Sequence, residues 1–343
     1  MEHLDPNIPA LLVAWYRQNR RELPWRRDRE PYHVWLSEIM LQQTRVEAAR
    51  AYYLRFLAEL PTVQALADCP PDRLSKLWEG LGYYARMRNL QKAARQIAAA
   101  GRFPDTYAEL LALPGVGAYT AGAVASICFE QPAPAVDGNV LRVLARVTED
   151  ASPVTDARVK KEYAARLGEI YPAGACGDFT QSLMELGAVV CVPNGPPRCG
   201  ECPLRALCRA CADGVQEKLP VRSPKKARRT EEKTVLILRC GDRLAVRKRP
   251  DEGLLAGLWE LPNVPGTLEA QQALALAEAW GAAPRELVRA SDKTHVFTHL
   301  TWNLRGYELV CAREAPGFLW ADAARLRQDV ALPTAFRMFL GYS

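Results

Sequence analysis

The sequence predicts a multidomain fold in which an all-α domain is followed by an α+β domain. Up to about residue 211 the apolar residues recur at intervals of three and four, which is typical of amphipathic helices. From about residue 233 onward short alternating runs appear, which are typical of strands. The length of 343 residues exceeds that of one ordinary hydrophobic core. We therefore expect a helical domain over residues 1–212, a linker over 213–232 and an α+β domain over 233–343.

Seven amphipathic segments make up the expected helical domain, and proline or glycine residues separate them. In chain order the segments are PALLVAWYRQN, VWLSEIMLQQ, RVEAARAYYLRFLAEL, RLSKLWEGL, NLQKAARQIAAA, AGAVASICF and NVLRVLARV.

The segment after them, ADGVQEKLPVRSPKKARRTEEK, has no apolar period and is rich in lysine and arginine, so it predicts a basic linker. In the second domain two strand-like runs flank Gly241-Asp242, which is a hairpin signal. LEAQQALALAEAW predicts a helix, and THVFTHLTWNLRGYELVCA alternates again.

The composition narrows the class of protein. With 49% hydrophobic and 24% charged residues the chain is globular, and its net charge of +6 is compatible with nucleic acid binding. The N-terminus lacks a signal-peptide pattern, and no run of about 18 apolar residues could cross a membrane. We expect a cytoplasmic protein whose ten cysteines bind metal or stay free, rather than form disulfides.

Five of these cysteines lie close together at the end of the helical domain, which is typical of a metal site. Cys199, Cys202, Cys208 and Cys211 form two CxxC pairs, which suits zinc. Cys191, Cys199, Cys202 and Cys208 are spaced C-x7-C-x2-C-x5-C, which suits an iron–sulfur cluster. The spacing alone leaves both metals open, and with them whether Cys191 or Cys211 is the fourth ligand.

The stretch LPGVGAYTAGAV predicts two helices joined by a tight turn at Leu113, Pro114, Gly115, Val116 and Gly117. Glycine permits backbone angles that other residues avoid, and it lets a phosphate approach closely. The second helix begins with N–H groups that point outward, which favours an anion there. We expect this hairpin to hold the DNA backbone without reading its sequence; a plain helix–helix turn is the alternative.

Two carboxylates are candidates for acid–base chemistry. Asp137 precedes NVLRVLARV and so lies at a helix N-terminus, where the dipole and free amides favour its charged form. Glu38 lies among Val34, Trp35 and Ile39, and such apolar neighbours raise the pKa of a carboxyl group. The alternatives are a simple helix cap for Asp137 and a partly exposed surface residue for Glu38.

Together these motifs resemble those of a known family. LPGVG, the trailing VDGNV and the cysteine loop are similar to the helix-hairpin-helix DNA glycosylases. WLSEIMLQQTRV, PWR and GLGYYARMRNL are similar to the MutY-type adenine DNA glycosylases of that superfamily, and the resemblance covers nearly the whole chain. It implies a [4Fe-4S] cluster on Cys191, Cys199, Cys202 and Cys208, although this chain has seven residues in the first gap where the family has six.

The resemblance implies a monofunctional glycosylase that hydrolyses the bond between adenine and its sugar. Glu38 would protonate N7 of adenine, and Asp137 would stabilise the sugar cation. Tyr119 and Asn139 would orient the water, the proton or Asp137. Endonuclease III-type enzymes have a lysine where this chain has Tyr119, and a phenol cannot form the imine that leads to strand cleavage.

Three groups of DNA contacts are also implied: an adenine pocket, a set at the wedge and lesion, and a lesion-reading loop in a Nudix-like second domain. The adenine pocket contains Arg26 and Leu41 beside Glu38. The wedge and lesion contacts are Gln42, Gln43, Thr44 and Tyr83. The lesion-reading loop contains Phe297, Thr298 and His299. The expected partner is double-stranded DNA with adenine opposite 8-oxoguanine or guanine, bound by a monomer in the cytoplasm, at the nucleoid of a bacterial-type cell.

Three other functions stay open at this point. They are a bifunctional endonuclease III-like enzyme, a non-enzymatic DNA-binding protein with a zinc knuckle, and a nucleotide pyrophosphatase. Tyr119 and Glu38 argue against the first. The helix LEAQQALALAEAWGA lacks the glutamates that a Nudix pyrophosphatase needs, which argues against the third.

Overall fold

The computed structural model describes residues 3–224 and 227–341, and the chain divides into two compact units. The first unit contains the described residues up to 68 and from 88 to 224. The second contains residues 69–87 and 227–341. Lys225 and Lys226 of the predicted linker lie outside the described residues.

Every regular element described before residue 225 is a helix, so the prediction of an all-α N-terminal part is confirmed. The α-helices are α1 Ile8–Asn19, α2 Pro31–Leu41, α3 Val46–Glu59, α4 Val63–Asp68, α5 Pro71–Leu77, α6 Tyr84–Ala100, α7 Tyr107–Leu111, α8 Ala118–Phe129, α9 Gly138–Val147, α10 Ala157–Gly168, α11 Cys176–Val189 and α12 Arg209–Ala212. Short 3-10 turns occupy Pro24–Arg26, Cys199–Glu201, Arg205–Leu207 and Gln216–Lys218.

Helices α1, α9 and α11 form a hydrophobic core in the first unit. Apolar side chains recur along each at helical spacing, and those that face inward are buried. The buried side chains include Leu12 of α1, Leu144 of α9 and Leu183 of α11. Because α9 begins at this core, its N-terminal residues are held in place by a well-packed scaffold.

Helix α8 passes through the middle of the first unit and packs on α2, α7 and α11. All its residues from Thr120 to Ile127 are buried, so it is apolar on every side rather than amphipathic. Gly122 lets the backbone of Pro134 approach, since a Cβ at this glycine would lie 2.3 Å from the carbonyl oxygen.

The second unit is built on a seven-stranded mixed sheet, which confirms the predicted α+β class. Its path is β3-β2-β1-β6-β5, with β4 on β1 and β7 on β2. Among the strand pairs in the described residues, β1–β6 is parallel and the others are antiparallel. The strands are β1 Arg229–Cys240, β2 Arg243–Lys248, β3 Trp259–Glu260, β4 Asn263–Pro265, β5 Pro284–Val296, β6 Leu300–Cys311 and β7 Leu319–Ala321. The helices are α13 Ala270–Ala279, α14 Ala323–Gln328 and α15 Thr334–Arg337, besides α5.

Both faces of this sheet are covered, because the side chains of a strand point alternately to the two sides. Val235 and Ile237 of β1 face one apolar cluster with Trp302, whereas Leu236 and Leu238 face the other. The connection between β1 and β2 is the predicted turn at Gly241-Asp242.

Residues 69–87 pack with the second unit, although the boundary expected at residue 212 groups them with the helices. Lys76 Nζ donates to the carbonyl oxygens of Leu326 and Val330, each at 3.1 Å. Glu79 accepts from the Leu332 amide at 2.8 Å. Polar contacts between segments about 250 residues apart leave no periodic signal in the sequence.

None of the helices in the described ranges is long and apolar enough to cross a membrane.

Candidate active site

A cleft of about 690 Å³ opens in the first unit where the ends of α2, α8 and α9 meet α11. Three carboxylates line it: Glu38 of α2, Asp137 at the start of α9 and Glu185 of α11. The sequence singled out the first two, and the structure brings them into one cavity.

Glu38 is buried, with 6% of its surface exposed. The phenol of Tyr119 donates to Glu38 Oε2 at 2.5 Å. Burial raises the pKa of Glu38 to about 7; the Tyr119 hydrogen bond and the charge of Arg26 oppose the rise, and the charge of Asp137 adds to it. A carboxyl group with this pKa is partly protonated at neutral pH and can donate a proton.

Asp137 caps helix α9 with three hydrogen bonds. Its Oδ1 accepts from the amides of Asn139 and Val140 at 2.9 and 2.8 Å, and its Oδ2 accepts from Asn139 Nδ2 at 2.8 Å. We expected the helix terminus to set the charge state, but burial outweighs these donors and raises the pKa of Asp137 above its ordinary value of 3.8. Asp137 still differs from Glu38, because its three N–H donors all favour the charged form.

Asn139 is held in place by two residues that do not line the cleft. Arg142 Nη2 donates to Asn139 Oδ1 at 2.8 Å and to the carbonyl oxygen of Gly187 at 2.6 Å. Gly187 of α11 touches Asn139 so closely that a Cβ on the glycine would lie 2.5 Å from the Asn139 Cβ. The amide that donates to Asp137 is therefore fixed in orientation by both packing and hydrogen bonding.

The third carboxylate, Glu185, was not predicted from the sequence. It has no exposed surface, and Arg21 Nε and Nη2 donate to it at 2.7 and 2.9 Å. Arg26 Nη2 adds a bond of 2.8 Å. Burial works against the charge of Glu185, but the two arginines prevail and lower its pKa to about 2. Glu185 could have been found from the sequence, because it lies between Met184 and Leu186, in the same kind of apolar setting that singled out Glu38.

Four predicted residues at the end of α2 line the same cleft: Leu41, Gln42, Gln43 and Thr44. Gln42 Nε2 donates to the Thr120 hydroxyl at 3.2 Å. Gln43 is exposed and has a left-handed backbone with φ of 59°. A residue other than glycine in this region is held there by its surroundings, and such strain is frequent at functional sites.

The predicted hairpin is present as α7, a tight turn and α8. Gly115 has φ of +76°, and a Cβ there would lie 2.5 Å from the Asn89 Cβ, so this position requires glycine on both counts. Gly117 differs from expectation, since its φ of −99° and ψ of 177° suit any residue. A Cβ on Gly117 would meet no atom within 4 Å, so the glycine keeps the surface before α8 open.

All five cysteines of the C-terminal loop line one small cavity: Cys191, Cys199, Cys202, Cys208 and Cys211. Burial and the neighbouring thiols raise the pKa of Cys199 to about 11, and Arg146 Nη1 lies 3.2 Å from Cys191 Sγ. In the described parts of the chain no group of three or more His, Cys, Asp or Glu side chains could hold a metal ion as it stands. An iron–sulfur cluster spaces its thiolates more widely than one ion does, and convergent thiols are the donor set that it requires.

The other predicted DNA contacts belong to the second unit and do not line the cleft. Tyr83 is exposed, has φ of 49°, and its hydroxyl lies 3.1 Å from that of Thr298. Phe297 packs edge-on against His295 and Trp302, with ring centroids 4.5 and 4.9 Å away. Phe297, Thr298 and the exposed His299 form the loop between β5 and β6.

The fold and the cleft define a class of protein. Residues 36–167 match the HhH-GPD superfamily of base excision DNA repair proteins, and residues 234–341 match the NUDIX domain. Two solved structures share the helical fold. A thermostable thymine-DNA glycosylase has a TM-score of 0.54 and 28% identity over 60% of this chain and 95% of its own. An endonuclease III bound to DNA has a TM-score of 0.51 and 25% identity over 62% and 99%. The protein is a DNA N-glycosylase with an additional Nudix-like domain.

Sequence relatives narrow the class further. Adenine DNA glycosylases from Rattus norvegicus and Homo sapiens are 34% and 35% identical over 96% of this chain and 77% and 73% of their own lengths. The one from Buchnera aphidicola (strain APS) is 34% identical over 76% and 75%. The chain belongs to the adenine DNA glycosylase family.

Proposed function

We propose that this protein removes adenine from duplex DNA where it is paired with 8-oxoguanine or guanine, by hydrolysis and without cutting the strand. The observation that carries the proposal is that Glu38 and Asp137 line one cleft in unlike surroundings. Glu38 has a single phenolic donor and a pKa of about 7, whereas Asp137 has three N–H donors. One carboxyl group can therefore supply a proton while the other carries a negative charge.

The reaction begins when the adenine nucleotide leaves the base stack and enters the cleft, which costs a few kcal/mol. Glu38 gives its proton to N7, and the bond between C1′ and N9 breaks with its electron pair on the base. The sugar then carries a positive charge, which Asp137 stabilises. Water adds at C1′ and loses a proton, which leaves free adenine and an abasic site.

Tyr119 supports hydrolysis rather than strand cleavage. Bifunctional relatives form an imine through a lysine amine at this position of the hairpin. Here the position holds a phenol whose hydroxyl already bonds Glu38. We propose that Tyr119 sets the proton affinity of Glu38 and, with Asn139, orients the reacting groups.

Gln43 and Tyr83 are proposed to fill the space that the extruded base leaves. Both are exposed, and both hold a left-handed backbone that side chains other than glycine rarely adopt. Each sits beside a helix end, Gln43 after α2 and Tyr83 before α6. Gln42 and Thr44 border the same part of the cleft, and Arg26 and Leu41 line the adenine pocket.

The domain that spans residues 233–343 is proposed to recognise 8-oxoguanine through Phe297, Thr298 and His299. The loop is exposed at its tip and anchored at its base by the packing of Phe297 on Trp302. Thr298 offers a hydroxyl that can donate and accept, as an oxidised guanine requires. Replacing Thr298 and His299 by alanine together should reduce the preference for 8-oxoguanine over guanine opposite adenine.

We also propose that Cys191, Cys199, Cys202 and Cys208 hold a [4Fe-4S] cluster at the end of the helical domain of residues 1–212. When bound, the cluster would tie the loop together through four thiolates. Residues 213–232 would link this domain to the second. We propose that the protein acts as a monomer on double-stranded DNA in the cytoplasm, at the nucleoid of a bacterial-type cell.

A glycosylase assay on paired duplexes tests the proposed function. Strands with adenine opposite 8-oxoguanine, guanine or thymine are incubated with the protein and analysed with and without hot alkali. We expect nicks in the adenine strand that require alkali, in the first two duplexes only. Nicks without alkali would contradict the monofunctional assignment, and release opposite thymine would contradict the mispair specificity.

A further inference from the structure

Lys160 lies in the wall of the active-site cleft and takes no part in the chemistry described above. It belongs to the first turns of α10 and lines the cleft together with Asp137, Gly138 and Asn139. The side chain is half-buried. Within residues 3–224 and 227–341 it has no hydrogen-bonding or ion-pair partner for its ammonium group.

The charges of the cleft explain why this lysine matters. The cleft holds three carboxylates and three cationic side chains, Arg21, Arg26 and Lys160. Both arginines donate to Glu185, whose single negative charge balances one of their two positive charges. Lys160 differs from the two arginines in having no carboxylate partner among the described residues, so its charge is free to attract DNA, a polyanion.

The backbone at the mouth of the cleft is also open beside this lysine. Gly138 is exposed, and a Cβ there would meet no atom within 4 Å. A nucleotide whose sugar reaches Asp137 keeps its phosphates outside the cavity, because both remain linked to the flanking strand. A phosphate of that nucleotide therefore has room to approach the exposed Gly138, which lines the same cleft as Lys160.

We propose that Lys160 binds a DNA phosphate next to the extruded adenine nucleotide. This inference rests on the proposed function. Lysine acts on phosphate as a point charge, so the contact would add affinity without reading sequence. It would hold the strand while Glu38 and Asp137 act, and it would leave the chemical step itself unchanged.

The neighbouring residue supplies a matched control. Lys161 follows on the same helix, is exposed, and does not line the cleft. Lys160→Gln and Lys161→Gln each remove one positive charge from α10 and leave the same net charge. Lys160→Arg keeps the charge in the cleft.

The test measures how binding depends on salt. The probe is a duplex with 8-oxoguanine opposite a 2′-fluorinated adenosine, which resists cleavage because fluorine disfavours the sugar cation. Each contact between a cation and a phosphate contributes about 0.9 to the slope of log K against log salt. We expect Lys160→Gln to lower the slope by about that amount, while Lys161→Gln and Lys160→Arg keep the wild-type slope. Single-turnover adenine release at saturating enzyme should be unchanged in Lys161→Gln, whose residue lies outside the cleft.

Two results would overturn the inference. The first is an equal slope for Lys160→Gln and Lys161→Gln, provided that thermal melting shows both variants folded. The second is a DNA adduct on Lys160 that borohydride traps, because the amine would then attack the sugar rather than hold a phosphate. If the wild-type protein releases no adenine from the unmodified duplex, the proposed function fails instead, so the two failures are distinguishable.

Discussion

Two carboxyl groups in one cavity differ in the hydrogen-bond donors that surround them. Glu38 is buried against apolar side chains with one phenol as its donor, so burial dominates and its pKa reaches about 7. Asp137 is also shifted upward by burial, but three N–H groups stabilise its anion. The difference arises because Asp137 begins a helix, where amides are available, whereas Glu38 lies within one, where they are not.

The phenol of Tyr119 should tune the acidity of Glu38. Its hydrogen bond favours the charged form of the carboxyl group and so lowers the pKa of Glu38. Tyr119→Phe removes that donor, and we expect the pKa of Glu38 to rise by about one unit. The acid form would then persist to higher pH, and the alkaline limb of the pH–rate profile would shift to higher pH. A profile that stays in place or moves to lower pH would contradict this role.

The sequence predicts a site residue when the residues that surround it in the fold are also its neighbours along the chain. Glu38 is recognisable because its apolar neighbours on α2 are also its sequence neighbours, and Asp137 because a helix follows it at once. Glu185 has an equally apolar local setting, but its two arginine partners lie 164 and 159 residues away. Only the folded chain shows that this carboxylate is paired rather than a second acid.

At the scale of elements, the close packing of α9 on α11 holds Asp137 in place. The two helices approach closely at Gly187, whose missing side chain makes room for Asn139. Arg142 spans the same interface by donating to both residues. The geometry of Asp137 therefore depends on Gly187 and Arg142, neither of which lines the cleft.

A methyl group at this interface should both destabilise the protein and impair catalysis. In Gly187→Ala the new Cβ meets Asn139 at 2.5 Å, and overpacking of this kind costs about 1–3 kcal/mol of unfolding free energy. Adenine release should fall, because Asn139 can no longer donate to Asp137 in the same geometry. Chemical denaturation and single-turnover kinetics measure the two effects.

Gly168 at the end of α10 provides the control. It is exposed, and a Cβ there would lie 3.7 Å from Pro134 Cγ, an ordinary contact. Gly168→Ala should leave activity unchanged and shift stability by less than about 1 kcal/mol. Equal losses in the two alanine variants would contradict the interface argument.

Features that depend on backbone conformation or on distant contacts were only partly predictable. We expect both hairpin glycines to adopt backbone angles that other residues avoid. This is correct for Gly115, which has a left-handed backbone, but not for Gly117, which has an extended one. Gln43 and Tyr83 carry left-handed backbones without being glycine, which composition cannot reveal. The packing of residues 69–87 with the second unit depends on hydrogen bonds between distant segments, which no local period records.

At the scale of the whole molecule, a helical unit carries the cleft and a sheet unit carries the loop at residues 297–299. The class of each unit was predictable, because the period of apolar residues changes from that of helices to that of strands. The cysteine loop that ends the helical domain has five thiols, whereas the proposed [4Fe-4S] cluster would need four.

Iron content should identify the spare thiol. In Cys191→Ser we expect loss of most of the iron, about four atoms per chain in the intact protein, together with its visible absorbance. Cys211→Ser should keep both. The opposite pattern would assign Cys211 as the fourth ligand, and an intact protein that holds zinc instead of iron would contradict the cluster.

The central claim is that Glu38 supplies the proton that releases adenine. The most direct test is the single-turnover rate of adenine release from an 8-oxoguanine:adenine duplex as a function of pH, for the wild type and Glu38→Gln. The acid form of Glu38 is present below its pKa and lost above it, so the wild-type rate should fall about tenfold per unit above about pH 7. Glu38→Gln should bind the duplex but lose at least about 100-fold in rate at every pH. A wild-type rate that does not fall above pH 7, or a glutamine variant that still turns over, would contradict the account.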